Sequence, residues 1–146
     1  MKISVKPASF IAIVAGLMTL GGCAKTPGNV IGKWTYKSVD LPAGVKDTPQ
    51  AAMIEAQIAG AGIEFTAPNK FVLTGGGLLE GEWTIDGDAI LMHPKKMQGK
   101  SLESLGDSAK NLSKDMNARL IDGGKGLTLD SLAGRKVDIT FERAGS

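Results

Sequence analysis

Apolar and polar residues change places at every step along four separate stretches of this chain, and that period of two constrains the fold more than any other feature. Trp34 and Tyr36 alternate with Lys33, Thr35 and Lys37, while Leu79, Gly81, Trp83 and Ile85 alternate with Glu80, Glu82, Thr84 and Asp86. Leu127 and Leu129 alternate with Thr128 and Asp130; Val137, Ile139 and Phe141 alternate with Lys136, Asp138, Thr140 and Glu142. Successive side chains of a strand point to opposite faces, so each stretch predicts a strand with one buried and one wet side.

Turn residues divide the rest into hairpins. Ala67-Pro68-Asn69 separates Ile63-Glu64-Phe65-Thr66 from Phe71-Val72-Leu73-Thr74, and Asp86-Gly87 separates Trp83-Thr84-Ile85 from Ala89-Ile90-Leu91-Met92. Asp-Gly between alternating runs is a strong hairpin signal because both residues tolerate positive φ. Gly123-Gly124-Lys125-Gly126 and Ala133-Gly134-Arg135 predict two further turns, and Arg119-Leu120-Ile121 a short strand. The sum is a mainly β chain of about eight strands in an antiparallel meander.

Two segments interrupt the meander with helical character. Asp47 or Thr48 is placed to cap a helix with Pro49 in its first turn, running through Met53, Ile54 and Ile58 until Gly60 stops it. From Ser101 to Met116, the residues Leu102, Leu105, Ala109, Leu112 and Met116 are spaced three and four apart, which predicts a second helix with one apolar stripe. Such a stripe is expected to pack across an open barrel end or a sheet edge, the alternatives being a lid over a cavity or a partner-binding helix.

The amino terminus carries a different message. Met1 to Pro7 holds Lys2 and Lys6 and no acid, and the uncharged run from Phe10 to Leu20 follows. Basic and apolar regions in that order mark a secretory signal peptide, and the run is well short of the ~20 residues a spanning helix needs. Leu20-Gly21-Gly22-Cys23 then resembles the bacterial lipobox: an aliphatic residue three places before a cysteine, with two small residues between. By that resemblance residues 1–22 are removed, and Cys23 receives a thioether-linked diacylglycerol and a third, amide-linked chain such as palmitate. Two or three acyl chains hold a protein on a bilayer where a single one is marginal. In a host with two membranes, the resemblance extends to a sorting rule by which Asp after the cysteine retains a lipoprotein in the inner membrane; here that place is Ala24, which points to the outer membrane, periplasmic side. Residues 23–29 then form a lipidated cysteine and short tether, and residues 30–146 a single domain, long enough to bury a core without disulfides.

Composition removes several function classes. The chain has 17 basic and 15 acidic residues, and Lys2 and Lys6 leave with the signal peptide, so the mature protein is formally neutral. Its lysines and arginines are scattered, Lys95 and Lys96 being the notable pair, which leaves no electrostatic footprint for nucleic acid. The single cysteine admits no intramolecular disulfide.

At Gly32-Lys33-Trp34 the chain resembles the lipocalins and the wider calycin group, in which Gly-x-Trp begins the first strand of an eight-stranded barrel. The resemblance implies a lipocalin-like barrel closed at one end by Trp34, with Arg143 of the last strand packed over its indole. A second copy, Gly81-Glu82-Trp83-Thr84, and the two helix-like insertions depart from the usual pattern. An eight-stranded barrel is either filled by side chains or holds one small ligand. The mature chain has six aromatics for this purpose: Trp34, Tyr36, Phe65, Phe71, Trp83 and Phe141.

No reaction is legible. His93 is the only histidine and Cys23 is committed to lipid, so no nucleophile and base pair is in sight, and an enzyme is not expected. Asp86 and Asp88 flank Gly87 and read as hairpin residues. Met92, His93 and Met97 offer two thioethers and an imidazole, a set suited to copper(I), but methionine also fills core gaps and His93 precedes Pro94 at a strand end. No cofactor or metal is therefore expected. Two function classes remain: a binding module for a small hydrophobic ligand or an envelope partner, and a structural or stress-related envelope component with a filled barrel.

Overall fold

The computed structural model describes residues 30–145, and the lipobox Leu20-Gly21-Gly22 with Cys23 lies outside the described residues. Nine strands follow one another: β1 (Gly32–Asp40), β2 (Gly62–Thr66), β3 (Lys70–Thr74), β4 (Leu79–Asp86), β5 (Ala89–Met97), β6 (Lys100–Ser101), β7 (Met116–Ile121), β8 (Gly126–Leu132) and β9 (Arg135–Arg143). Neighbours in sequence pair antiparallel, β5 reaches past the two-residue β6 to pair with β7, and β9 returns to pair with β1. The result is a closed eight-stranded up-and-down barrel with β6 as an appendage on β5. Closure leaves none of the eight without a neighbour, which removes the exposed edge that an open sheet presents.

The inward side of the alternation makes the core. Trp34, Ile63, Phe65, Phe71, Trp83, Ile90, Met92, Leu127, Leu129, Ile139 and Phe141 are all buried. Five of the six mature-chain aromatics thus fill the barrel, with Tyr36 half-buried against them. Phe65 meets Trp83 edge to face, with ring centroids 5.6 Å apart and planes at 80°. That geometry brings the electropositive edge of one ring to the negative face of the other.

Register irregularities keep the apolar side turned inward. The β1 to β9 ladder slips between Tyr36 and Ser38. The extra residue there lets Val39 continue the inward row that Trp34 and Tyr36 begin. A second slip lies between Glu80 and Gly81 on β4, opposite Pro94 on β5. A Cβ on Gly81 would overlap the His93 carbonyl oxygen and press on the Phe71 ring at 2.7 Å. Glycine at the head of the second Gly-x-Trp is therefore required by the close approach of β5.

Residues between β1 and β2 form two helices, α1 (Ala43–Lys46) and α2 (Pro49–Ile58). Thr48 is the N-cap of α2 and Pro49 its first residue, though the Thr48 hydroxyl donates to the Val45 carbonyl at 2.7 Å instead of capping. Ala51 and Ile58 are the buried positions of α2.

The expected helix from Ser101 to Met116 is not formed. Leu102–Ala109 is a 3₁₀ segment, irregular turns follow, and Met116 already belongs to β7. The break is at Gly106, whose φ of 63° and ψ of −146° lie outside any helix. Spacing of three and four nonetheless serves burial, because Leu102, Ala109 and Met116 enter the core and Leu105 and Leu112 pack against it. Among the described residues no helix is long and apolar enough to cross a membrane.

Candidate functional site

The antiparallel order gives the barrel two unlike ends. One gathers the start of β1, the turns 67–69, 87–88 and 122–125, and the end of β9; the other gathers both helices, the loop 75–78, the segment 102–115 and the turn 133–134.

The first end is shut. Trp34 pairs directly with Arg143 across β1 and β9, and the guanidinium carbon lies 4.5 Å from the indole centroid. A cation over a tryptophan face is attracted by the ring quadrupole. Arg143 also donates from Nη1 to the Ile31 carbonyl at 3.2 Å and from Nε to the Gly124 carbonyl at 3.4 Å. Trp34 donates from Nε1 to the Val30 carbonyl at 2.9 Å, so the buried indole leaves no unpaired N–H. Gly32 has a φ of 131°, and a Cβ there would stand 3.4 Å from Arg143 Nη1. These residues close the barrel and pin the entering chain to it. They leave no opening for a ligand.

The second end is apolar and incompletely filled. A cleft of about 190 Å³ lies between Gln57 and Ile58 of α2, Leu73 of β3, Leu79 of β4, Met97 of β5, Leu112 and Leu132. Gly75, Gly76 and Gly77 form one wall with backbone alone. The large exposed hydrophobics among the described residues, Met53 and Leu78, stand at this same end. Met53 is one helical turn before Gln57 on α2, and Leu78 precedes the lining residue Leu79. Polar groups ring the rim: Gln98 stands by Gly77, and Asn111 and Lys114 lie against Gly134.

The candidate metal ligands are not gathered. Met92 is wholly buried in the core, whereas its neighbour His93 turns outward and donates from Nδ1 to Asp115 Oδ1 at 2.7 Å. Adjacent residues of a strand face opposite sides, which is why the pair separates. Met97 ends the same strand at the cleft. Among the described residues no three of His, Cys, Asp and Glu come together as a metal site. Asp86 and Asp88 lie at the shut end, around the β4 to β5 turn.

No protein-family model matches the chain, and no curated protein matches it in sequence. Among solved structures, the fold is similar to that of a duf4847 family protein from Bacteroides vulgatus, with a TM-score of 0.50 at 16% identity over 80% of this chain and 95% of that one. A lipocalin-like protein from Bacteroides uniformis gives a TM-score of 0.46 at 15% identity over 80% and 99% of the two chains. A REP1-NXSQ fatty acid transporter gives 0.45 at 11% identity over 82% and 98%. At 16% identity the likeness to the duf4847 family protein is one of fold alone and assigns no ligand.

Sequence reasoning located Trp34 and Arg143 but missed the cleft. Its walls come from separate places along the chain, and no local pattern marks them as neighbours. The triple glycine 75–77 was the one visible sign, since a run of residues without side chains makes a thin wall.

Proposed function

We propose that this chain is a lipid-anchored envelope protein whose barrel receives a slender apolar group, such as the end of an aliphatic chain, in the cleft at its open end. The observation that carries this reading is the convergence of Ile58, Leu73, Leu79, Met97, Leu112 and Leu132 on one space that they do not fill. Apolar surface left facing such a space gains by covering, at roughly 25 cal/mol per Å² removed from water. The size decides the ligand class: drug-sized ligands occupy roughly 300–1,000 Å³, and about 190 Å³ admits something thinner. With the aromatics filling the interior, the ligand would sit in the mouth and not along the barrel axis.

The anchor is supported by Leu20-Gly21-Gly22-Cys23, and the outer membrane, periplasmic side, by Ala24. In this reading the protein binds and does not catalyse.

The filled interior favours a second reading, in which the apolar rim at Met53 and Leu78 contacts an envelope protein and nothing enters the cleft. Native mass spectrometry of residues 24–146, exported without lipid and purified gently, separates the two. A reproducible aliphatic passenger supports the binding module. A bare mass that stays bare after incubation with decanoate overturns it and favours protein contact.

A further inference from the structure

We infer that residues 102–115 are a movable side wall of the barrel mouth, a strap latched by His93 and Asp115, and that the apolar group enters the cleft beneath it, between β5 and β7. The entry route rests on the cleft binding proposed above; the strap itself rests on how this stretch of chain is held.

The barrel wall is incomplete where the strap lies. β5 pairs with β7 from Ala89 to Met92, opposite Arg119 to Met116, and no further. Beyond Met92 that edge of β5 meets the two-residue β6 at Lys96 and Met97, so no strand is paired to it from His93 to Lys95. The strap runs from β6 to β7 across this gap and puts Leu102 and Ala109 into the core.

Other connections are tied to the barrel through the backbone. The Gln98 N–H donates to the Leu78 carbonyl at 2.8 Å, that of Tyr36 to Ala61 at 3.1 Å and that of Leu120 to Asp88 at 3.0 Å. Among the described residues the strap has no such tie; its backbone bonds, such as those from Leu112 and Ser113 to the Ala109 carbonyl at 2.9 Å, stay within it. What reaches out of it is the bond from His93 Nδ1 to Asp115 Oδ1 at 2.7 Å, on an exposed carboxylate where water competes. A segment held by a few apolar side chains and one exposed hydrogen bond opens more readily than a strand in the ladder.

Two spaces meet at the strap. Leu112 faces the cleft and the adjacent Ser113 an outer groove of about 690 Å³, and in the same way Met97 faces the cleft and Lys96 the groove. Pro94 of β5 and Leu102 and Ala109 of the strap also line that groove, so the strap does not lie flush on β5. It is a partition between groove and cleft, and its displacement joins them. A group seated against Leu112 favours the closed strap, because opening would uncover it.

The test uses the Cys23→Ser chain, in which an introduced cysteine is the single thiol. Ala109 on the strap and Ala118 on β7 are matched, 2% and 3% exposed. Iodoacetamide is expected to modify Ala109→Cys several-fold faster than Ala118→Cys, and adding Asp115→Ala should speed position 109 further and leave position 118 unmoved. Equal rates at the two positions, or an Asp115→Ala effect that is absent at 109 or equal at both, overturn the strap. If an alanine variant fails to fold, Leu112→Cys and Leu132→Cys, both lining the cleft, give the same comparison. Decanoate should slow modification on the strap as it binds. Decanoate bound by native mass without slowing overturns entry beneath the strap and leaves the cleft standing. No bound decanoate overturns the cleft reading and the entry route together, while the thiol rates judge the strap by themselves.

Discussion

Arg143 lies over the Trp34 ring, its guanidinium carbon 4.5 Å from the indole centroid and its strand paired to Trp34's own at that very position. The first and last strands of the barrel are joined at this point, so the contact closes the sheet as well as its end. Trp34→Ala should cost about 3–5 kcal/mol, the range for removing a buried large aromatic. Arg143→Met keeps much of the packing but loses the cation and its two carbonyl bonds, and should cost about 1–3 kcal/mol. Urea midpoints of both variants, set beside single changes in residues 101–116, check the order. A Trp34→Ala midpoint equal to the parent's would contradict the closure described here.

Two glycines provide a matched pair. Gly81→Ala puts a methyl into the β5 backbone and the Phe71 ring and should cost at least the 1–3 kcal/mol typical of overpacking. Gly44, inside α1, has nothing within 4 Å of a built Cβ and no positive φ, so Gly44→Ala should leave stability unchanged or raise it by up to about 1 kcal/mol. Thermal melts of the two proteins under identical conditions should move in opposite directions or leave Gly44→Ala unmoved.

Much of the barrel can be read along the chain because a strand's period is local. Asp86-Gly87, Ala133-Gly134 and the row Val137, Ile139, Phe141 each announce themselves within a few residues. The segment after Ser101 shows where such reading ends. Spacing of three and four is satisfied by an α-helix or by a 3₁₀ turn followed by irregular chain, and Gly106 allows a backbone conformation that breaks the helix without moving Leu102 or Ala109 from the core. The slips beside Tyr36 and Gly81 were equally invisible, since a bulge changes which neighbour lies inside without changing the residues. The cleft depends on contacts between distant segments, from Ile58 to Leu132, that no window of sequence contains.

Gly106 also yields a prediction. Its φ and ψ fall in a region that suits glycine alone, so Gly106→Ala should cost about 1–3 kcal/mol although nothing crowds the site. Hydrogen exchange should show the loss concentrated in residues 102–115. A loss spread evenly through the barrel would argue against local strain as its cause.

Membrane attachment is expected to depend on one atom, the sulfur of Cys23. Cys23→Ser should abolish acylation and release the protein to the soluble fraction on osmotic shock. Firm membrane association of that variant would contradict the anchor.

Binding at the mouth is the central claim, and methyl-resolved NMR of the Cys23→Ser chain titrated with decanoate tests it most directly. The account predicts saturable shifts at Ile58, Leu73, Leu79, Met97, Leu112 and Leu132, with Ile90, Leu127 and Leu129 at the filled centre unmoved. Shifts centred on Ile90, Leu127 and Leu129, or none at the mouth up to the probe's solubility, would contradict it.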